Sequence, residues 1–325
     1  MTKTEKAATA TTLDPSEAKR VVRRIIAHHF GNATTKDSSK TAAIIEPMSG
    51  GITNHVFSVK TAEGDLVVRL GSNPAKLQAF MKEQWAIAKA REQGVPTPEV
   101  LQVSNDASPI PYMISRHTSG TMATTHPDRL QIVKSMGRYA AMINQIPTTG
   151  FGSTFEWSHN QLSHNATWSE FLHNELKLEE RLETLSEAGM LEAPKRKKLR
   201  TALESACSND RISVLNHGDL RLKNVLVNTD GDIVCILDWE HCASNLSPEW
   251  ELSIALHDLS IDEKQELLKG YGLTIDQIRQ FSPAWKMLTV INYAPSVQRA
   301  VKARNTAKLD WFRLRLSGVL DLYEF

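Results

Sequence analysis

Asp219, Asn224 and Asp238 stand in the segments LNHGDLRLKNVLVN and GDIVCILDWE. Together they offer the groups that phosphoryl transfer requires. A carboxylate and an amide oxygen suit Mg2+, a hard cation that takes oxygen ligands and keeps part of its shell for phosphate and water. A second carboxylate could accept the proton of an attacking hydroxyl. The elements that must position these groups are legible in the same stretch. Val225 to Val227 and Ile233 to Leu237 are short apolar runs joined by the turn Thr229-Asp230-Gly231-Asp232, which predicts a hairpin. That hairpin would carry Asn224, at its start, close to Asp238, at its end. Asp219 would sit on the preceding loop, five residues before Asn224.

HGDLxxxN followed by a hydrophobic strand and DW resembles the signature of the aminoglycoside phosphotransferase and choline kinase-like group. Eukaryotic protein kinases carry HRDLxxxxN and DFG at the equivalent places. The resemblance implies an α+β, two-lobed protein-kinase-like fold: a small antiparallel β lobe and a larger, mainly helical lobe. It makes Asp219 the catalytic base, with Asn224 and Asp238 as ligands of Mg2+. Arg221 takes the place of the Lys that steadies the transferring phosphoryl group in serine/threonine kinases, and as a cation there it would neutralise developing charge. An Arg on a loop is also an ordinary surface charge, and both readings stay open. His217 is expected to brace the loop backbone.

The nucleotide half lies upstream. Ser16 is expected to cap a helix running to His29, with Val21, Val22, Ile25 and Ile26 on one face. Three strand-like segments follow, Ala42 to Ile45, His55 to Lys60 and Leu66 to Leu70, then a last strand from Tyr112 to Ser115. In the first turn between them, Ser49, Gly50, Gly51, Thr53 and Asn54 form a GGxTN loop that resembles the family's nucleotide loop. Backbone amides there could close over phosphates. A glycine turn is by itself a common hairpin device. No GxxxxGK[ST] occurs, which excludes a P-loop fold.

Arg69 occupies the place of the protein-kinase phosphate-binding Lys, and a guanidinium can grip phosphate oxygens in pairs. It needs an acid to hold it inward. Glu83, on a helix expected from Pro74 to Gln93, is the candidate, and Glu92 the second choice. The expected apolar stripe of that helix is Leu77, Phe80, Met81, Gln84, Ala88 and Arg91, with Glu83 at its flank. Main-chain groups near Ser115 to His117 would bind the adenine edge of ATP, by resemblance to the hinge of the family.

These readings divide the chain into a disordered segment 1–15, an N-lobe 16–117 and a C-lobe 118–325. With 325 residues it is long enough for two sizeable cores. A net charge of +1 indicates no nucleic-acid surface. Cys207, Cys235 and Cys242 form no CxxC pair and read as reduced thiols of a cytoplasmic protein. No apolar run is long enough for a membrane span, the opening residues lack the apolar core of a secretion signal, and no obligate protein partner is evident.

In the C-lobe, helices are expected from Leu130 to Ile146, around Trp168 to Leu185, and from Pro194 to Ala206. Trp157, Trp168 and Phe171 are read chiefly as core. Gly218 stands where regulated kinases have an Arg that pairs with a phosphorylated loop. Only nine residues separate Asp238 from Pro248, too few for a substrate-docking activation segment. The acceptor is therefore expected to be a small-molecule hydroxyl. It could be an aminoglycoside, met by carboxylates such as Glu240, Glu249, Glu251 and Asp258 and by the C-terminal LDLYEF. It could equally be a metabolite of the choline, sugar or homoserine type. Glu251 also matches the structural acid of the family's DPxxDLA-type motif. A nucleotide-binding pseudokinase is the non-enzymatic alternative, against which the intact Asp219, Asn224 and Asp238 set argues.

Overall fold

The computed structural model describes residues 13–31, 44–48, 55–61, 64–153, 165–205 and 211–321. They form two compact units, one from 1–120 with 234–240, the other from 121–233 with 241–325. The first unit thus extends to Gly120 and takes Val234–Glu240, a segment that linear reading assigns to the helical part.

Order begins ahead of residue 16. Leu13 is buried, and the Asp14 carboxylate accepts from the amides of Ser16 and Glu17 at 2.8 and 2.9 Å. Asp14 is therefore the cap of α1 (Pro15–Phe30), in place of Ser16, and Pro15 fills the first turn, where its missing N–H costs nothing. Val21, Val22, Ile25 and Ile26 are buried as their spacing requires.

The sheet of this unit has five antiparallel strands in the order β1-β2-β3-β5-β4. They are β1 (Ile44–Pro47), β2 (His55–Thr61), β3 (Gly64–Leu70), β4 (Val100–Ser104) and β5 (Tyr112–Arg116). On β3, Leu66, Val68 and Leu70 join the α1 face in one apolar core, so Arg69 projects from the opposite face. There it meets α2 (Lys76–Glu92), whose buried residues are Phe80, Lys82, Glu83, Ala86, Ile87 and Ala90. Glu83 consequently lies in the middle of the buried face, whereas Ala88 and Arg91 of the expected stripe are exposed.

The second unit is mostly helical. β6 (Thr121–Met122) pairs with β8 (Val225–Val227), and β7 (Val214–Asn216) pairs with β10 (Ala243–Asn245). The polar turn after β8 is closed by Asn228, whose Oδ1 accepts from the amides of Asp230 and Asp232 before β9 (Ile233–Ile236) begins. Around them stand α3 (Arg129–Ile143), α4 (Trp168–Glu170, continued as a π-turn through Glu175), α5 (Leu178–Glu187) and α6 (Ala193–Ser205). The C-terminal helices are α7 (Glu249–Ala255), α8 (Ile261–Tyr271), α9 (Ile275–Lys302) and α10 (Thr306–Asp321). Trp168, Phe171 and Trp250 stack within the helical core, so the first two are packing residues; Trp157 lies outside the described residues. Helices α3 and α8 meet backbone to backbone. A Cβ on Gly137 would come within 2.1 Å of the Leu267 carbonyl, and one on Gly270 within 1.9 Å of that of Lys134. No described helix is long and apolar enough to cross a membrane.

Candidate active site

The loop after β7 is built to hold Asp219 in one place. His217 is fully buried, and its Nδ1 accepts from the Asp219 amide at 3.2 Å, so the ring braces the backbone as expected. Gly218 turns the chain with φ +78, and a Cβ there would lie 2.1 Å from the His241 carbonyl oxygen. Only glycine meets both demands. Glu251, fully buried on α7, accepts from the amides of His217 and Gly218. Its burial outweighs those two hydrogen bonds and pushes its carboxyl up to about 7. It is a structural acid of the loop.

Asp219 itself is almost wholly buried, at 6 % exposure. Burial alone would raise its pKa. The Lys223 ammonium, the Arg221 guanidinium and the Asn224 amide overcome that and hold it below the usual carboxylate range. Arg221 Nε stands 2.8 Å from Oδ1, and Lys223 Nζ 2.8 Å from Oδ2. Asn224, at the end of a 3-10 turn, donates through Nδ2 to the Asp219 carbonyl at 2.8 Å and to Oδ2 at 2.9 Å. With its amide hydrogens so occupied, its carbonyl oxygen is the atom it can offer a cation. Arg221 is more than a surface charge, since it bridges Asp219 and Asp258, with 3.2 Å to the latter. Lys223 was not picked out from sequence, though its spacing from Asp219 is that of an i,i+4 pair.

In the first unit, Arg69 Nη1 meets Glu83 Oε2 at 2.6 Å, with the guanidinium over the Phe80 ring. Burial raises the Glu83 carboxyl in spite of Arg69. Glu92, by contrast, pairs with Lys89 at the surface. Two cations of α2 had no place in the expectations: Lys82 donates to the Glu240 carbonyl at 3.0 Å, and Lys76 pairs with the Glu240 carboxylate at 3.4 Å. They grip the chain two residues beyond Asp238. Asp238 has φ +63, a left-handed conformation that is uncommon outside glycine and concentrates at functional sites. Trp239 is anchored alongside by its indole N–H on the Ile236 carbonyl at 2.9 Å.

In the segment expected to be the hinge, two N–H groups already have partners. Ser115 lies inside the sheet, paired with Val67 and Val100. The amides of Arg116 and His117 donate to the Glu99 and Asp65 carbonyls, each at 2.9 Å. The main-chain N–H groups of Arg116 and His117 are therefore committed within the first unit. Ser49, Gly50, Gly51, Thr53 and Asn54 fall outside the described residues.

Of the acids considered for a polycationic acceptor, Glu251 holds the loop and Glu249 pairs with Arg211. Glu240 is tied to Lys76, and Asp258 to Arg221 and Arg315. Phe325 lies outside the described residues. The segment expected to be too short for substrate docking is built into the core: Cys242 to Leu246 is buried, and β10 pairs with β7.

As for Mg2+, Asn224 and Asp238 each carry an oxygen donor of the hard type it prefers. The residues present fit the ion.

No curated protein matches the chain. Solved structures do. A thermostable mutant of aminoglycoside phosphotransferase APH(4)-Ia, in ternary complex with ADP and hygromycin B, superposes with a TM-score of 0.66 at 17% identity, covering 94% of this chain and 99% of that one. The GDP and kanamycin complex of APH(2")-IIIa does so with a TM-score of 0.57 at 14% identity, over 91% and 99%. At such identities the likeness establishes the protein-kinase-like fold. Membership rests on sequence: the family model APH, "Phosphotransferase enzyme family", matches residues 44–281, which span the Arg69–Glu83 pair, the braced Asp219 loop and Asp238. The chain belongs to that phosphotransferase family.

Proposed function

We propose that this phosphotransferase moves the γ-phosphoryl group of ATP, taken with Mg2+, onto a hydroxyl of a small molecule. The observation that carries the reading is an Asp219 carboxylate kept ionised by two cations and an amide, on a loop braced at His217 and Gly218. Such a group is a weak base but a fixed acceptor. Phosphoryl transfer through a loose transition state asks mainly for positioning, because the hydroxyl proton leaves late. Asp219 would receive that proton and aim the hydroxyl. Arg221 and Lys223 would face charge developing on the transferring group. Asn224 and Asp238 would hold Mg2+, which neutralises phosphate charge when bound. Arg69, steadied by Glu83, would grip phosphate oxygens, and the loop with Ser49, Gly50, Gly51, Thr53 and Asn54 would cover them. ATP is favoured by the ADP and AMP-PNP complexes of APH(4)-Ia.

For the acceptor, the charges near Asp219 favour a neutral or anionic alcohol of metabolism over a polycation. Arg221, Lys223 and Arg315 cluster there, and Asp258 is already bound to two of them. Buried free thiols at Cys235 and Cys242 suit a cytoplasmic setting.

The test is a phosphotransfer screen with Mg-ATP over aminoglycosides, hydroxy acids, sugars, choline and homoserine, run beside Asp219→Ala. Product is expected from wild type and none from the variant, which should still bind nucleotide. Equal turnover by the two proteins would sink the assignment of Asp219. Preference for an aminoglycoside would overturn the acceptor reading while leaving the phosphotransferase intact.

A further inference from the structure

At the other end of the first unit's sheet, three side chains that phosphoryl transfer does not use converge on one point. His28 and His29 close the last turn of α1, with ring centroids 4.8 Å apart and planes nearly perpendicular. Both present Nε2 to Asp106, in the connection between β4 and β5. His28 Nε2 lies 3.6 Å from Oδ2 and His29 Nε2 3.7 Å from Oδ1. All three ligand atoms fall within 4.8 Å of one another.

These distances are informative. They exceed the span of a good hydrogen bond. A zinc ion binds imidazole nitrogen and carboxylate oxygen at about 2.0–2.2 Å, so two ligand atoms of its tetrahedron stand roughly 3.4 Å apart. The two gaps, each to a different carboxylate oxygen, lie near that edge, and the three ligand atoms span no more than 4.8 Å, so an ion would draw them slightly inward.

The carboxylate is also held as a metal ligand would be. The Ala107 amide donates to Oδ1 at 2.7 Å, and the fully buried Tyr112 donates its hydroxyl to the same oxygen. Tyr112 Oη also stands 2.6 Å from His29 Nε2, so an ion would have to displace that hydrogen bond to reach the ring. Donors on the carboxylate, such as the Ala107 amide and the Tyr112 hydroxyl, orient a ligand and tune its affinity.

We propose that His28, His29 and Asp106 form a binding site for a borderline divalent transition ion, Zn2+ being the expected occupant, with Tyr112 as the positioning residue behind the carboxylate. Two imidazoles and a carboxylate make the donor set that such ions prefer over Mg2+ or Ca2+. Three protein ligands leave one position to solvent, and the outer face of the cluster is open, since His28 and Asp106 are each about half exposed. The ion would clip the C-terminal end of α1 to the sheet whose core it covers, in place of the His29–Tyr112 hydrogen bond and beside the apolar side chains that already join them.

The experiment uses the untagged full chain and Co2+ as a spectroscopic stand-in. One equivalent of Co2+ should produce visible d–d absorption of the intensity typical of four-coordinate sites, and Zn2+ should bleach it. Zn2+ should raise the Tm of wild type, with saturation at one equivalent. His28→Ala, at an exposed position, and Asp106→Asn should abolish both signals while leaving the metal-free Tm within a few degrees of wild type. Tyr112→Phe should weaken Co2+ binding by about tenfold. Absence of absorption in wild type, or the same absorption and Zn2+-dependent Tm in His28→Ala and Asp106→Asn, would overturn the site.

Discussion

Two buried carboxylates in this protein have been driven in opposite directions. Glu83 in the first unit and Asp219 in the second are 1 % and 6 % exposed. Burial opposes ionisation of both, yet the Glu83 carboxyl is raised and that of Asp219 lowered. Depth of burial and partners together explain the difference. Glu83 has the Arg69 guanidinium and, more weakly, the Lys82 ammonium, set against the Glu240 carboxylate, whereas Asp219 has a guanidinium, an ammonium and an amide close by. At Glu83 the deeper burial outweighs its cations, and at Asp219 three close donors outweigh burial. Glu83 still holds Arg69 in a close ion pair, and Asp219 is kept as an anion.

The largest effect should come from Asp219. Asp219→Ala is expected to lower kcat by about a thousandfold, within the span typical of a lost general base, with nucleotide affinity little changed. Single-turnover transfer beside nucleotide titration measures both. A loss below tenfold would mean that Asp219 is no more chemical than Glu83.

Removal of Arg69 should cost stability first. Arg69→Met leaves Glu83 without its paired guanidinium, a change worth about 3 kcal/mol for a buried pair. The added Glu83→Met should recover most of it, as urea unfolding of the single and double variants will show. With Arg69 gone, the Glu83 pKa rises further. A raised pKa gives stability that is complete below the unfolded value and lost as pH rises through the folded one. The Arg69→Met deficit should therefore grow with pH. Asp219→Asn should cost much less, because Arg221 and Lys223 keep solvent contact, at 33 % and 54 % exposure. Equal costs would break the comparison.

Glu251 is a third case, with burial and no cation. Glu251→Ala strands two amides and should cost about 2 kcal/mol, whereas Glu251→Gln retains an acceptor. Its carboxyl is raised from 4.5 to about 7. By the same sign rule, wild type loses stability between those values as pH rises. Denaturation of Glu251→Gln across that window should show a flatter profile. A slope identical to wild type would place the titration elsewhere.

The ease with which these features were read from sequence tracks how local they are. HGDLRLKN encodes much of the Asp219 loop, because His217 and Asn224 act on neighbours within a few residues, whereas the His241 carbonyl beside Gly218 and the Glu251 brace lie far along the chain. Arg69 with Glu83 could be inferred because an acid beside apolar residues requires a partner. Strand β4 was missed because each residue of VLQVS is half-buried, which erases the alternation that marks a one-faced strand. The stripe of α2 was misplaced because its buried face includes Lys82 and Glu83, polar residues that a hydrophobic pattern passes over. The engagement of the His117 amide with Asp65, and the approach of α3 to α8 at Gly137 and Gly270, depend on contacts far apart in the chain.

The smallest effect is expected at Lys223, and it probes the comparison most finely. Lys223 is more than half exposed, so its pairing with Asp219 is screened and weak as a stabilising contact. Lys223→Met should scarcely change Tm. The same ammonium is nevertheless the leading influence opposing burial at the Asp219 carboxyl. Its removal leaves Arg221 and Asn224, an environment nearer to that of Glu83. A depressed carboxyl keeps its anion down to low pH, so the acid limb of the kcat/KM profile should move upward in the variant, with about a threefold loss at neutral pH. An unmoved limb would show that Arg221 and Asn224 suffice, and that the contrast between the two carboxylates rests on geometry more than on the number of cations.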